Sequence, residues 1–178
     1  MLKKFDVIII GAGAAGMMSA IEAAKRGRKV LLVDHYKKIG EKIRISGGGR
    51  CNFTNINTNP SKFLSQNPKY VRSALSQYTQ NDFINLIKKH EIDFHEKKLG
   101  QLFCDHSAQQ IVEMLLKECE LANVTILKEF IVKDVSKDND QYLVSTETEQ
   151  YSCQSLIIAT GGLSVPKIGA SSFGYKIA

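Results

Sequence analysis

The fold of this chain is decided by residues 7–16, VIIIGAGAAG, in which four apolar residues lead directly into a Gly-x-Gly-x-x-Gly loop. Such an apolar run before a glycine loop is typical of a buried parallel strand. Residues 14–26 carry Ala, Met and Ile at helical spacing, and Gly27 favours a helix end just after them. We therefore expect a strand, a tight turn and a helix whose N-terminus faces a phosphate.

The three glycines of this loop have separate roles in such a unit. The first permits the turn, the second lets a pyrophosphate approach the backbone, and the third brings helix and strand into close contact. The loop residues that we expect to contact a bound dinucleotide are Gly11, Gly13, Ala14, Ala15 and Gly16.

A second apolar run supports the same interpretation. Residues 29–33, KVLLV, lead into Asp34, which follows the glycine loop by about 20 residues, the spacing of a carboxylate that accepts hydrogen bonds from a ribose. The less favoured alternative is a purely structural turn with Asp34 on its surface. The unit is therefore predicted to bind a dinucleotide.

The composition is that of an ordinary globular protein of 178 residues, long enough for one domain with a sizeable core. No segment approaches the ~20 consecutive apolar residues of a membrane span, and the N-terminus lacks the pattern of a signal peptide. The four cysteines are scattered without a spacing suited to zinc. We therefore expect no membrane association, no metal site and reduced thiols in a cytoplasmic protein.

The net charge of +6 is unevenly distributed. Residues 1–50 contain 11 Lys and Arg against 4 Asp and Glu, whereas the remainder contains 13 against 14. A nucleic-acid partner produces such a bias, but an anionic cofactor accounts for part of it, and no aromatic stacking pattern is interleaved with these cations. The sequence thus favours a small-molecule substrate over a nucleic acid, and it leaves the oligomeric state open.

A long polar segment, residues 35–59, follows the second strand, where an NAD-only domain would continue into a helix. Its centre, SGGGRCN at residues 46–52, exposes backbone amides and adds cationic and amide side chains suited to phosphate. The alternative is a flexible surface loop. Because functional loops cluster on rigid scaffolds, we expect a cofactor contact from Lys42, Ser46, Gly48, Gly49, Arg50 and Asn52.

The remaining chain alternates predicted helices and strands. Helices are predicted at 68–78 and 82–90 and from Ser107 onward, and strands at 92–95, 101–104 and 124–127. Residues 130–135, 142–146 and 149–152 predict a three-stranded antiparallel meander, and residues 155–159 a last parallel strand. A further helix is expected from about Ser172. The predicted fold class is α/β, a parallel Rossmann-like sheet with helices on both sides, a β-meander and a helical insertion.

The motifs GAGAAG (11–16) and KIRISGGGRCNFTN (42–55) together resemble the YhiN/BaiN-like FAD-binding flavoproteins, also labelled as NAD(P)/FAD-dependent or aminoacetone-oxidase-family oxidoreductases. Residues 100–108 and IIATGGLSVP (157–166) extend the resemblance over essentially the whole chain. Two positions depart from the family pattern: Cys104 stands where Pro is usual, and Ser172 begins a segment that commonly reads GDGY. No role is carried over to either position.

This resemblance implies a Rossmann-like FAD-binding domain of the glutathione-reductase type. FAD is then the expected cofactor, with NAD(P)H as a candidate electron donor. The resemblance places Val132 at the adenine end of FAD and the ATGG segment, Ala159, Thr160 and Gly161, beside the cofactor. It also implies that the triple-glycine loop follows the pyrophosphate and ribityl portion.

No catalytic residue is identified. Cys51 has no partner at the CxxxxC spacing of disulfide reductases of this fold, so we favour a buried structural thiol over a redox thiol. The histidines are scattered and are interpreted as hydrogen-bonded or solvent-facing.

The predicted function is an FAD-dependent oxidoreductase with an undetermined substrate. Three alternatives stay open: a tRNA-modifying flavoprotein of related fold, an NAD(P)-binding dehydrogenase and a non-catalytic nucleotide-binding module. Residues 1–178 are expected to be the N-terminal part of a discontinuous FAD-binding domain, inactive without a substrate domain and a C-terminal segment that returns to the site.

Overall fold

The computed structural model describes residues 2–165 and 172–177, and the chain divides into two compact units. The first unit comprises residues 1–42 and 115–178, and the second comprises residues 43–114. The strands are β1 (Lys3–Ile10), β2 (Val30–Val33), β3 (Asn52–Asn55), β4 (Phe94–Glu96), β5 (Gln101–Cys104), β6 (Thr125–Leu127), β7 (Asp134–Asp138), β8 (Gln141–Ser145) and β9 (Gln150–Ile158). The helices are α1 (Ala14–Lys25), α2 (Glu41–Ile45), α3 (Arg72–Gln77), α4 (Gln80–Lys89), α5 (Gln109–Leu121) and α6 (Phe173–Ile177).

The first unit is built on a six-stranded sheet in the order β6-β2-β1-β9-β8-β7. Strands β6, β2, β1 and β9 run parallel, and β7, β8 and β9 pair antiparallel. The central strand β1 places Ile8 opposite Leu31 on one side and Leu156 on the other. This sheet confirms the predicted α/β class and the strand–loop–helix–strand unit at its centre.

The apolar run of the opening motif is buried on both faces of the sheet, as a parallel strand requires. Ile8 and Ile9 are fully buried, and Ile8 belongs to a core cluster with Leu31, Val144 and Tyr151. Helix α1 packs against β1 and β2. Each fully buried aliphatic side chain contributes about 1.5–3 kcal/mol by leaving water.

The end of the chain forms fewer strands than we predicted. The predicted strands at 149–152 and 155–159 are one continuous strand, β9, so their separation was wrong. Its residues 150–153 pair antiparallel with β8, and its residues 151–153 and 155–158 pair parallel with β1. Because β1 pairs with the residues before and after Gln154, this polar residue does not interrupt the strand.

The predicted strand at 130–135 was also wrong in its start. Strand β7 begins at Asp134, and the preceding residues carry no strand assignment. Phe130 instead donates its amide to the Asp34 carbonyl oxygen (2.9 Å) and packs edge-on against Tyr151, which keeps it in the core. The segment before β7 therefore passes the end of β2.

The second unit contains a three-stranded antiparallel sheet in the order β3-β5-β4. One prediction is wrong in its start, because the helix predicted at 68–78 begins only at Arg72. The polar segment at 35–59 contains α2 and β3. Strand β3 forms in polar sequence because Phe53 packs against Phe83 and Phe94.

Helix α4 begins with a capping box formed by Thr79 and Asp82. The Thr79 hydroxyl accepts from the Asp82 amide, and the Asp82 carboxylate accepts from the Thr79 amide (2.7 Å). This reciprocal capping box satisfies two backbone donors at the helix start.

Within the described parts of both units, no helix is long and apolar enough to span a membrane.

Candidate functional site

The carboxyl ends of three neighbouring strands of the first unit are joined by backbone hydrogen bonds. The Gly11 amide donates to the Val33 carbonyl oxygen (2.8 Å), and the Ala159 amide donates to the Ile10 carbonyl oxygen (2.8 Å). These bonds hold the glycine loop, Asp34 and the ATGG segment at one edge of the sheet. This edge is where open α/β sheets bind ligands.

Two glycines of the loop are required by the packing of the backbone itself. Gly11 has a positive φ of 107°, and a Cβ there would lie 2.5 Å from the Ala159 carbonyl oxygen. A Cβ on Gly16 would lie 1.8 Å from the Gly11 carbonyl oxygen. Both positions admit no side chain, whatever the loop binds.

Gly13 is different, because no atom lies within 4 Å of the position its Cβ would occupy, and its φ of −83° suits any residue. It precedes α1, whose first amides belong to Ala14, Ala15 and Gly16 and have no partners within the helix. No described side chain caps this end. The open space and free amides fit a pyrophosphate, which a side chain on Gly13 would displace.

Asp34 is already tied to the glycine loop. Its Oδ2 accepts from the Ala12 amide (2.7 Å) and its Oδ1 from the Tyr36 amide (2.9 Å). Each carboxylate oxygen has a second lone pair, so the group retains capacity to accept a ribose hydroxyl. The loop amide thus orients the carboxylate that we predicted to bind the ribose.

A cavity of about 220 Å³ lies beside these groups in the first unit. It brings together four predicted site residues: Gly11, Asp34, Val132 and Thr160. The sequence reasoning missed its other lining residues, although each lies within two residues of a predicted one or belongs to α6. They are Ile10, His35, Phe130, Ile131 and Phe173.

Lys42, which we predicted to contact a cofactor phosphate, lies at the ATGG segment, and its ammonium group is already engaged there. Its Nζ donates to the Gly162 carbonyl oxygen (2.6 Å). A Cβ on Gly161 would lie 3.4 Å from the same Nζ. The lysine therefore fixes this turn, and two ammonium protons remain for an anion.

The other predicted residues belong to the second unit. Ser46, Gly48 and Gly49 lie on a short 3₁₀ turn, followed by the exposed Arg50 and by Asn52 at the start of β3. The structure does not place these five residues in the cavity of the first unit. Their contact with a cofactor stays a prediction.

Two of these side chains have structural partners inside the second unit. The Ser46 hydroxyl donates to the Ile43 carbonyl oxygen (3.0 Å). With its amide oriented to satisfy both neighbours, Asn52 donates to the carbonyl oxygens of Thr54 (3.1 Å) and Leu102 (3.2 Å). These donors are used within the unit, which leaves mainly acceptor capacity on Asn52.

All four cysteines are buried free thiols. Burial raises the pKa of Cys51 and Cys153, and it raises the pKa of Cys104 to about 12 and of Cys119 to about 11. A thiol held protonated near neutral pH is a poor nucleophile. This environment agrees with a structural role for Cys51.

The histidines form no metal-binding cluster in the described residues. His95 Nδ1 lies 2.5 Å from the Asp105 carboxylate on the β4–β5 hairpin, and the His95 ring stacks on Phe103. This pair is partly exposed and orients one imidazole.

Residues 5–178 match the sequence model of the family described as HI0933-like protein Rossmann domain. The match covers nearly the whole chain and confirms the resemblance that the glycine motifs carry.

Two curated relatives share this region. The chain is 56% identical over 177 residues to a ribosomal RNA dihydrouridine synthase of Escherichia coli, covering 99% of this chain and 44% of the relative. It is 25% identical over 173 residues to a 3-dehydro-bile acid delta(4,6)-reductase of Clostridium scindens, covering 96% of this chain and 42% of that relative. The chain thus spans less than half the length of these relatives.

A solved structure shows the same fold at low identity. The 3-ketosteroid-delta4-(5alpha)-dehydrogenase of Rhodococcus jostii RHA1 superposes with a TM-score of 0.64 at 13% identity, covering 90% of this chain and 46% of that one. The fold is the Rossmann type of FAD-binding domains. The predicted fold class is confirmed.

Proposed function

The chain belongs to the HI0933-like family, and we propose that the full-length protein is an FAD-dependent oxidoreductase that reduces uridine to dihydrouridine in ribosomal RNA. The substrate rests on the name of the Escherichia coli relative, which is 56% identical over 99% of this chain. The chain covers only 44% of that relative, so the activity is proposed for the full-length protein.

The observation that carries the cofactor assignment is the open space at Gly13. This glycine is not needed for backbone conformation or packing, since its Cβ position is empty and its φ is ordinary. Its absence of a side chain is explained by a ligand that approaches the start of α1. A pyrophosphate fits because it accepts hydrogen bonds from the amides there.

Different residues of this chain would bind different parts of FAD. The amides of Ala14 and Ala15 would hold the pyrophosphate, and Asp34 would accept from the ribose. The cavity beside Val132 is apolar on several sides and would take the adenine. Lys42 would hold the ATGG turn in place beside the cofactor.

Reduction of uridine to dihydrouridine adds one hydride and one proton across a carbon–carbon double bond. FAD, when bound and reduced, supplies the hydride in chemistry of this kind. This chain contributes binding and orientation of the cofactor. We propose NAD(P)H as the donor that reduces it.

RNA is better supported as substrate than the small molecule that the sequence favoured. The relative named for RNA modification is 56% identical, whereas the one named for a bile-acid reduction is 25% identical. We therefore propose RNA as the substrate and keep an unsaturated small carbonyl compound as the competing outcome of the test.

The test uses full-length protein, FAD, NAD(P)H and ribosomal RNA transcribed without modifications. The proposal predicts that nuclease digestion and mass spectrometry will show a uridine that has gained two hydrogen atoms. A matched reaction with Gly13→Val protein should leave the RNA unchanged. Unmodified RNA from the wild-type reaction, with bound FAD present, would reject the proposed substrate.

A further inference from the structure

The second unit carries a long stretch of basic sequence without any carboxylate. Residues 43–81 contain no Asp or Glu. Their five cations are Arg44, Arg50, Lys62, Lys69 and Arg72. A surface of one charge sign attracts a polyanion and speeds its association.

Three of these cations lie exposed and close in sequence: Lys62, Lys69 and Arg72. Among the residues that the structure describes, none of the three forms an ion pair. Elsewhere in the chain Lys3, Lys117 and Lys133 each bind a glutamate within 3 Å. The three exposed cations are therefore available to an external anion.

A groove of about 420 Å³ adjoins one of these cations. Its lining combines Phe63 and Leu64 with the side chain of Arg72, and Leu64 is 96% exposed. The other lining residues are Pro60, Ser61, Ser65 and Pro68. An apolar groove bordered by charge marks an interaction site more often than a plain protein surface.

A further aromatic ring lies in the same segment. Tyr70 is 61% exposed and sits between Lys69 and Arg72 in sequence. Exposed aromatic rings alternating with cations are the combination that binds single-stranded nucleic acid, because bases stack on the rings while cations hold the phosphates. A protein partner would need only the apolar part of this combination.

We propose that this surface of the second unit, residues 60–72, binds a single-stranded segment of RNA. Phe63 stacks on a base, and Lys62, Lys69 and Arg72 bind the phosphates. The inference rests on the proposed function, which supplies an RNA substrate, and it assigns part of that substrate to a particular surface.

The test measures binding of full-length, FAD-loaded protein to a fluorescent single-stranded RNA over a range of salt concentrations. Phe63→Ala should weaken binding on the order of tenfold, the effect of losing one stacked base. Arg72→Glu should weaken binding and make the slope of log affinity against log salt shallower by about 0.7 per lost phosphate contact.

Two variants of the same unit serve as matched controls. Lys88→Glu reverses an exposed charge on α4, and Leu99→Ala removes an apolar side chain that is 81% exposed. Both should bind RNA as the wild type does. FAD content and the urea unfolding midpoint, measured for all four variants, show that any loss arises at the surface.

The outcomes separate this inference from the proposed function. If Phe63→Ala and Arg72→Glu bind RNA like the wild type while dihydrouridine still forms, the surface is wrong and the function stands. If the wild type neither binds nor modifies RNA, the function fails and the inference fails with it. Binding to anionic phospholipid vesicles in place of RNA would overturn the inference in favour of a membrane surface.

Discussion

The glycine loop of the first unit, residues 11–16, and the triple-glycine turn of the second unit, residues 47–49, differ in what demands their glycines. Gly47, Gly48 and Gly49 all have positive φ, between 58° and 86°, a region that residues with a side chain enter at a cost. In the first loop the neighbouring backbone leaves no room for a side chain on Gly11 or Gly16, whereas the Cβ position of Gly13 is open.

Only a glycine that the protein's own backbone does not require is evidence of a ligand. A glycine that the backbone requires would be there without any cofactor, so the triple-glycine turn by itself says little about binding. Gly13, which neither φ nor packing requires, is explained by something outside the protein.

The largest effect is expected from Gly16→Ala. Its new methyl group would lie 1.8 Å from the Gly11 carbonyl oxygen, so helix α1 must move away from the loop. We expect a loss of about 3 kcal/mol or more in the free energy of unfolding, at the upper end of overpacking effects. Urea unfolding of the full-length protein measures it, and a loss below about 1 kcal/mol would contradict the close packing.

Gly13→Val should separate binding from stability. The added side chain meets no atom within 4 Å at its Cβ, so the free energy of unfolding without FAD should change by less than about 1 kcal/mol. FAD binding should be abolished, because the valine occupies the place of the pyrophosphate.

Ala24→Val, which adds a β-branched side chain near the other end of α1, is the matched control and should retain FAD. Flavin absorbance per protein after gel filtration gives the stoichiometry. One FAD per chain in the Gly13→Val protein would show that the cofactor does not bind at this loop.

A smaller effect distinguishes two neighbours in the second unit. Gly47→Ala brings a methyl group to 2.7 Å from the Phe103 ring, and strain at positive φ adds to this, for a total of about 2–3 kcal/mol. Gly48→Ala meets nothing within 4 Å and should cost only about 1 kcal/mol. Equal losses in urea unfolding would refute the assigned role of the Phe103 contact.

The smallest effect at neutral pH concerns buried thiols in the two units, whose contribution changes only at alkaline pH. Burial raises the pKa of Cys104 to about 12 and of Cys119 to about 11, whereas an unfolded thiol titrates near 8.5. The unfolded state therefore loses its proton first, so stability is intact below about pH 8.5 and falls as pH rises toward the native pKa.

Cys104→Ala should flatten this decline between about pH 9 and pH 11, by up to about 1.4 kcal/mol per pH unit. Cys119→Ala should flatten it over a narrower interval, because the native pKa is lower. Measuring the free energy of unfolding at several pH values tests both variants. If the slope of this free energy against pH is the same in Cys104→Ala as in the wild type, the pKa of the Cys104 thiol is not raised in the folded state.

The sequence was sufficient for the centre of the fold. The apolar run before Gly11 and the position of Asp34 predicted β1, α1 and β2, because a glycine loop between buried strands leaves few alternatives. It also predicted that Gly11, Asp34, Val132 and Thr160 belong to one site, and the structure places them around one cavity.

The other features of the fold depend on contacts between residues that are distant in the sequence. Strand β9 continues past Gln154 because β1 pairs with the residues before and after it, and β3 forms in polar sequence because Phe53 packs against two aromatic neighbours. Local sequence contains neither fact. The bond from Ala12 to Asp34 was missed for the same reason.

The proposed function requires that the full-length protein holds FAD and passes its electrons to ribosomal RNA. The direct measurement reduces bound FAD without oxygen, removes excess reductant and adds unmodified ribosomal RNA while flavin absorbance is followed. We predict that oxidised flavin returns and that one dihydrouridine appears for each flavin. Flavin that stays reduced with RNA, yet is reoxidised by an unsaturated small carbonyl compound, would contradict it.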